Sequence, residues 1–310
     1  MLWSSKNCPV CGQNTLYKDG KRDKRQRYRC KSCHYVFIQP EKEKVSWIER
    51  AYHDYSIGKQ TLAELSKKYG YSVRTLRRKF DDYIPQTTYG QAASPSPVPL
   101  VFDGTFFGRG YGFLVYRAAG KNIYWREIDS EKIAYIEADL LHLKAQGWLF
   151  SSFTIDGRRG VVQLLEKLFP SIPIQMCVFH QKKTIQRYIT LNPKTECGKE
   201  IKKLMAEMKD LTEAGFSQRL QKTKEGYKNF LKERNENRQF MHRNLRSALR
   251  SLTTNLSYLF THKRYHHLNI PNTTNSCDGS FAYWKTKTKI HTGLKKNRRT
   301  KMIDFLLAHS

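Results

Sequence analysis

Two CxxC pairs constrain this chain more tightly than any other feature. Cys8 and Cys11 form one pair, Cys30 and Cys33 the other, in "CPVCGQNTLYKDGKRDKRQRYRCKSC", with 18 residues between the pairs. Each CxxC makes a tight knuckle that turns two sulfurs toward one point, and the spacing suits a four-thiolate Zn²⁺ site. "RQRYRC" alternates as a strand and "HYVFI" continues as another, so residues 1–40 are expected to form a zinc ribbon. The start "MLWSSKNCPVCG" lacks the apolar core of a signal peptide, and no apolar run nears the roughly 20 residues that span a bilayer. A cytoplasmic or nucleoid location and no membrane partner are therefore expected, with the seven cysteines serving as ligands or core residues rather than disulfides.

Charge narrows the partner. Lysine and arginine number 56 against 27 aspartates and glutamates, a formal net charge of +29. Each phosphate neutralised on a polyanion releases a condensed counterion, so double-stranded DNA is the expected partner. Residues 1–40 alone hold nine Lys/Arg against two acids.

A second DNA-reading module is expected over 41–83. In "TLAELSKKYGYSVRTLRRKF", Leu62, Leu65 and Tyr69 recur at helical spacing and Gly70 can end that helix in a left-handed cap. Ser72 can N-cap a second helix from Val73 to Phe80. Val73, Leu76 and Phe80 would face inward, leaving Arg74, Thr75, Arg77, Arg78 and Lys79 outward, as a recognition helix in a major groove requires. A helical hairpin with a solvated basic face is the plainer alternative. "IPQTTYGQAASPSPVP" then reads as a linker, 84–98.

From residue 99 the pattern changes to strands. "PLVFDGTFF", "YGFLVYRAAG" and "NIYWREI" suggest an antiparallel meander. A helix over "EKIAYIEADLLHLKAQG", a strand "LFSSFTIDG", a helix "VVQLLEKLFP" and a strand "PIQMCVFH" follow. This is the element order of a ribonuclease-H-like core, in which the first and fourth strands are neighbours. Asp103 and Asp156 would then lie side by side. Adjacent carboxylates repel unless a cation lies between them, and Mg²⁺ (or Mn²⁺) is the hard, oxygen-seeking candidate. Taken singly, each aspartate could instead be a strand-end turn residue before glycine.

Three helical runs follow, and residues 191–262 read as an all-helical insertion, with the core over 99–190 and 263–310. A further acid, Asp278, arrives in "NIPNTTNSCDGSFAYWKTK", three residues after Asn275. Residues 283–301 hold eight Lys/Arg and no acid, a tail suited to phosphate contacts. The fold class expected is thus multidomain α/β: zinc ribbon, helix-turn-helix, then a ribonuclease-H-like catalytic core with a helical insertion.

The order "VFDGTFF", "FTIDG", "MCVFH", helical insertion, "TTNSCDG" resembles the bacterial transposases of the Mutator-type insertion-sequence superfamily, in a variant with an N-terminal zinc ribbon. The resemblance covers roughly residues 99–290. It implies a DNA transposase that binds terminal inverted repeats and carries out metal-dependent strand cleavage and 3′-OH strand transfer into target DNA. It also implies a homodimer or larger assembly on DNA. The family's carboxylate triad falls on Asp103, Asp156 and Asp278, the last where the family usually has glutamate. Its Cys-x-x-His falls on Cys177 and His180, which brings His180, with Asn275, toward the active site. Pattern alone sets Cys177 and His180 on a strand, pointing to opposite faces, with Cys177 in the core. Two other readings stay open: a catalytically inactive zinc-ribbon and helix-turn-helix DNA-binding protein derived from a transposase, and a structure-selective nuclease.

Overall fold

The computed structural model describes residues 7–22, 25–38, 46–85, 96–291 and 293–310, and for Arg25 and Asp278 the backbone alone. Residues 1–6, 39–40 and 41–45, and most of the expected linker (86–95), lie outside the described residues. The chain divides into two compact units, Met1–His53 and Asp54–Ser310.

The first unit holds β1 (Leu16–Arg22), β2 (Arg25–Cys30) and β3 (Val36–Ile38) in one antiparallel sheet, ordered β1-β2-β3. β1 was not legible in the sequence because its run, "LYKDGKR", is polar and only partly buried. Two equivalent turns carry the cysteines. Gly12 N–H donates to Cys8 O at 2.9 Å, and His34 N–H donates to Cys30 O at 3.0 Å. Both donors sit at positive φ, 72° and 59°, the left-handed conformation that closes such a knuckle.

A helix, α1 (Trp47–Ser56), spans the division between the units and is an element that sequence reasoning did not find. α2 (Leu62–Tyr69) and α3 (Val73–Asp82) follow. Thr61 and Glu64 form a reciprocal capping box at the start of α2, and Gly70 ends it at φ 72°. Ser72 caps α3 by accepting from Thr75 N–H at 3.1 Å. Leu65, Leu76 and Phe80 are buried.

β4 (Val98–Gly108), β5 (Tyr111–Ala118) and β6 (Lys121–Ile128) form the antiparallel meander. α4 (Ile133–Ala145), β7 (Phe150–Ile155), α5 (Arg159–Leu168) and β8 (Ile174–Met176) follow in the expected order. The sheet is ordered β6-β5-β4-β7-β8, with β7 parallel to β4 and β8 parallel to β7. α6 (Val178–Ile189), α7 (Glu196–Glu207), α8 (Glu213–Gly226), α9 (Arg243–Leu259) and α10 (Thr261–Arg264) come next. The second expected helix of this region stops at Gly226; beyond it lie a 3₁₀ turn (Phe230–Lys232) and an isolated bridge between Arg234 and Phe240. α11 (Asn275–Ile290) packs on β4, and α12 (Lys296–Ala308) packs on β6.

The strand expected over "PIQMCVFH" is only three residues long. Cys177 ends it, and His180 lies in the first turn of α6, so the two residues are not on opposite faces of a strand. The basic tail also differs from expectation. Met302, Ile303, Phe305, Leu306 and Leu307 of α12 are core residues, and several of the tail's cations are consumed internally. Lys287, 2% exposed, donates to Ile57 O, and His291 Nε2 lies 2.9 Å from Tyr55 O, so both serve the C-terminal end of α1. Lys301 Nζ donates to the carbonyls of Phe80, Asp81 and Tyr83 at 2.7–3.1 Å, closing the C-terminus of α3, while Arg298 pairs with Asp81. Cations at helix C-termini satisfy orphan carbonyls and oppose the helix dipole. In "HKRYHH", Gln175 Oε1 accepts from His262 N–H at 2.8 Å, and Arg264 pairs with Glu213.

A buried polar network ties the meander to α4. Asp139, 0% exposed, accepts from Arg126 Nε at 2.6 Å and from Tyr116 O–H at 3.1 Å. Asp139→Ala would leave the Arg126 guanidinium without its counter-charge. Breaking a buried pair costs about 3–5 kcal/mol, and the 34% exposure of Arg126 puts the expected loss near the lower figure. Denaturant unfolding of the variant measures it; a loss below about 1 kcal/mol would contradict a structural role for the pair.

Burial holds the imidazoles of His262 and His291 below their ordinary value of 6.5. The unfolded chain therefore takes up protons before the native one. These groups cost no stability above pH 6.5 and an increasing amount below it, until the folded values are passed. Thermal melts from pH 7 to pH 5 should fall, and a His262→Gln, His291→Gln double variant should flatten that limb. An unchanged limb would assign the acid sensitivity to other groups.

Candidate active site and metal centre

The Sγ atoms of Cys8, Cys11, Cys30 and Cys33 all lie within 4.8 Å of one another, and the quartet could hold a metal ion. Cys8 and Cys33 are 3.5 Å apart, as are Cys11 and Cys30. Metal–sulfur bonds of about 2.3 Å in a tetrahedron place sulfurs roughly 3.8 Å apart, so the cage has the right size for zinc. A backbone N–H from Cys33 helps draw the Cys30 thiol down to about 6, while hydrogen bonds with the other three sulfurs push Cys33 up to about 12, so a metal would have to displace protons from part of the cage.

β4 and β7 run parallel and Val101 pairs with Thr154; Asp103 lies two residues further on within β4, and Asp156 directly follows the end of β7. Both line one small pocket. Asp103 is 9% exposed and sits within β4, not at its end, which removes the strand-end turn reading for that residue. Its Oδ1 accepts from Gly104 N–H at 2.8 Å. Asp156 follows the last residue of β7; its Oδ1 accepts from Arg158 N–H at 3.2 Å, and Gly157 turns the chain at φ 95°.

Sequence reasoning missed two residues of this pocket, Glu131 and Arg158. Arg158 donates from one terminal nitrogen to Glu131 Oε2 and from the other to Glu131 O, both at 2.8 Å. The Glu131 carboxylate lies over Gly104, where an added Cβ would meet Oε1 at 2.4 Å. Glycine at 104 thus serves a close approach rather than a turn. Glu131 precedes α4 and carries no strand signal; Arg158, directly after "IDG", could have been found from its place beside Asp156.

Next to this pocket a cleft of about 700 Å³ has Asp156, Arg158 and His180 among its walls. His180 Nδ1 is 3.4 Å from Thr274 Oγ1. Burial would raise the Cys177 thiol, but hydrogen bonds from His180 and Thr274 outweigh it and hold the group below the ordinary thiol value. Thr274 N–H donates to Cys177 Sγ at 3.3 Å, Val178 N–H to Asn272 O at 2.9 Å, and Thr154 Oγ1 to Pro271 O at 2.7 Å. Residues 271–274 are thereby fastened beside the end of β7, which fixes where α11 begins. Asn275 opens α11 and is exposed, its N–H directed at Thr273 Oγ1 at 3.4 Å. Asp278 lies in the first turn of α11, the helix packed on the strand that bears Asp103; its side chain lies outside the described residues.

On α3, Arg74, Arg77, Arg78 and Lys79 are exposed, whereas Thr75 is half-buried, its hydroxyl 2.9 Å from Ser72 Oγ. Among the described residues no helix is long and apolar enough to cross a membrane.

No family model matches the chain, and no curated protein matches it. Among solved structures, the Drosophila P element transposase strand transfer complex is similar over 86% of this chain and 80% of that chain, at 14% sequence identity and a TM-score of 0.33. A likeness that slight leaves function to be argued from the site.

Proposed function

We propose that the chain is a DNA transposase with a ribonuclease-H-like core, of the kind its motifs resemble. The observation that carries the reading is that Asp103, within β4, and Asp156, directly after the neighbouring parallel strand β7, line one small pocket beside a cation-lined cleft. A five-stranded sheet of three antiparallel strands followed by two parallel ones, with the first strand central, is the arrangement of that core. The proposed division is a zinc ribbon (1–40), a helix-turn-helix module (41–83), a linker (84–98), the core (99–190 and 263–310) and a helical insertion (191–262).

In this reading Asp103, Asp156 and Asp278 hold Mg²⁺ or Mn²⁺. Two carboxylates flanking a small pocket fit an ion that takes one or two carboxylates and draws its other ligands from substrate phosphate and water. When bound, the ion supplies charge neutralisation at the reacting phosphate. The protein's own part is to orient. Asp103 is fixed within β4 and Asp156 at the turn that ends β7, His180 offers a ring nitrogen at the cleft, and the fastening of residues 271–274 sets the start of the helix bearing Asp278. Water attacks the phosphodiester at the transposon end, breaking its P–O3′ bond to leave a 3′-OH and a 5′-phosphate; that 3′-OH then attacks a target phosphodiester and displaces the target strand's own 3′-OH. Zn²⁺ in the cysteine cage would stabilise the ribbon, and Arg74, Arg77, Arg78 and Lys79 would contact the ends. Assembly as a dimer or larger complex on paired ends, in the nucleoid, belongs to the same proposal.

The test is joining of 3′-OH oligonucleotides, matching the DNA that flanks the gene, to a target duplex with Mg²⁺. Joined product that disappears with chelator supports a live transposase. End binding without joining favours the inactive DNA-binding relative, and cutting indifferent to end sequence favours a nuclease.

A further inference from the structure

The cleft beside Asp156 has a charge pattern that the two-carboxylate site does not explain. His180, Lys183 and Arg187 all line it, and all belong to α6. At 100° per residue these positions fall on one stripe of the helix, spanning roughly 10 Å along its axis. Arg158 faces the same space from the turn after β7, its guanidinium held by Glu131. Lys183 and Arg187 are exposed, and among the described ion pairs neither has a carboxylate partner. Lys183 Nζ stands 4.2 Å from the Phe179 ring centroid, and Arg187 donates to Thr184 Oγ1 at 3.0 Å, contacts that steady both side chains without neutralising them. The C-terminal cations behave otherwise: Lys287, Lys296, Arg298 and Lys301 are all engaged by groups of the protein. Asp156 is common to the small carboxylate pocket and the basic cleft, so a strand lying in one leads directly into the other.

From this we infer that the α6 stripe is a phosphodiester track: Lys183 and Arg187 hold the DNA strand immediately beside the reacting phosphate. Lys183 and Arg187 stand about 6 Å apart along the helix axis, which sets two cations beside neighbouring phosphates of one strand. The inference rests on the transposase reading for its substrate, but its test does not depend on chemistry.

The experiment is a cycle on the full-length protein without divalent metal, using fluorescence anisotropy. Single-stranded DNA with natural phosphates is compared with the same strand bearing two uncharged methylphosphonates next to its 3′ end, against wild type and a Lys183→Ala, Arg187→Ala double variant. Wild type should bind the neutralised strand about tenfold more weakly. The variant should bind the natural strand about tenfold more weakly, lose nothing further on neutralisation, and show a salt slope reduced by about 1.4 for two lost contacts. Both side chains are exposed, so an unchanged melting temperature confirms an intact fold. Losses that add in full, or a variant that binds like wild type, overturn the track. If wild type shows the non-additive cycle yet never joins DNA, the track stands and the transposase reading falls. Joining with an additive cycle keeps the chemistry and removes the track.

Discussion

If the proposed chemistry is right, Asp103→Asn and Asp156→Asn should each cut metal-dependent DNA joining by at least about 10³-fold while leaving end binding and melting temperature near wild type. The size follows from the geometry. Each carboxylate contributes at most two oxygens to a hard cation, and the amide loses the charge that makes the bond. Several kcal/mol of transition-state stabilisation go with it, and about 4 kcal/mol is a factor of 10³. The substitution is nearly isosteric, and both side chains accept local N–H groups, from Gly104 and Arg158, which an amide oxygen can also satisfy. Gel-resolved joining measures the first effect and anisotropy the second. Variants that join within tenfold of wild type would remove these residues from the chemistry.

The second large effect concerns the cysteine module. Among described residues 7–38 the only buried side chains are those of Cys8 and Cys30. A segment of that size without an apolar core has little to offset its chain entropy, so metal binding, worth roughly 10–16 kcal/mol in small zinc modules, would be its folding energy. Cys30→Ser, or chelation of the wild type, should open residues 1–40 to protease within minutes while the fragment beyond stays protected. Mass spectrometry should find one Zn²⁺ per chain in wild type and none in the variant. Protection that survives both treatments would mean the ribbon folds without metal.

Much of this architecture was legible because the signals are local. The CxxC spacing, the Ser72 cap, Gly70 and the strand runs from residue 99 each act within a few residues, and the order β4 to β8 followed from them. What was missed depends on distant partners. Cys177 and His180 read as strand because "IQMCVF" is apolar, yet Cys177 begins a helix beside Thr274, nearly a hundred residues away. The tail at 283–301 read as suited to phosphate contacts, but Lys287, Arg298 and Lys301 find carbonyls and a carboxylate within residues 57–83. A run of lysines does not reveal whether each one faces water or the C-terminus of a helix. Glu131 was invisible for a related reason: only the fold lays it over Gly104 and against Arg158.

The central claim is that Asp103 and Asp156 share one divalent ion. It is tested most directly by Mn²⁺ binding, followed by electron paramagnetic resonance, on the protein–DNA complex with the cysteine cage zinc-loaded. Thiolate cages disfavour Mn²⁺, so the ribbon should not contribute. Saturable binding in wild type, lost in Asp103→Asn and in Asp156→Asn alike, is the expected result. Equal Mn²⁺ binding by all three proteins would contradict it.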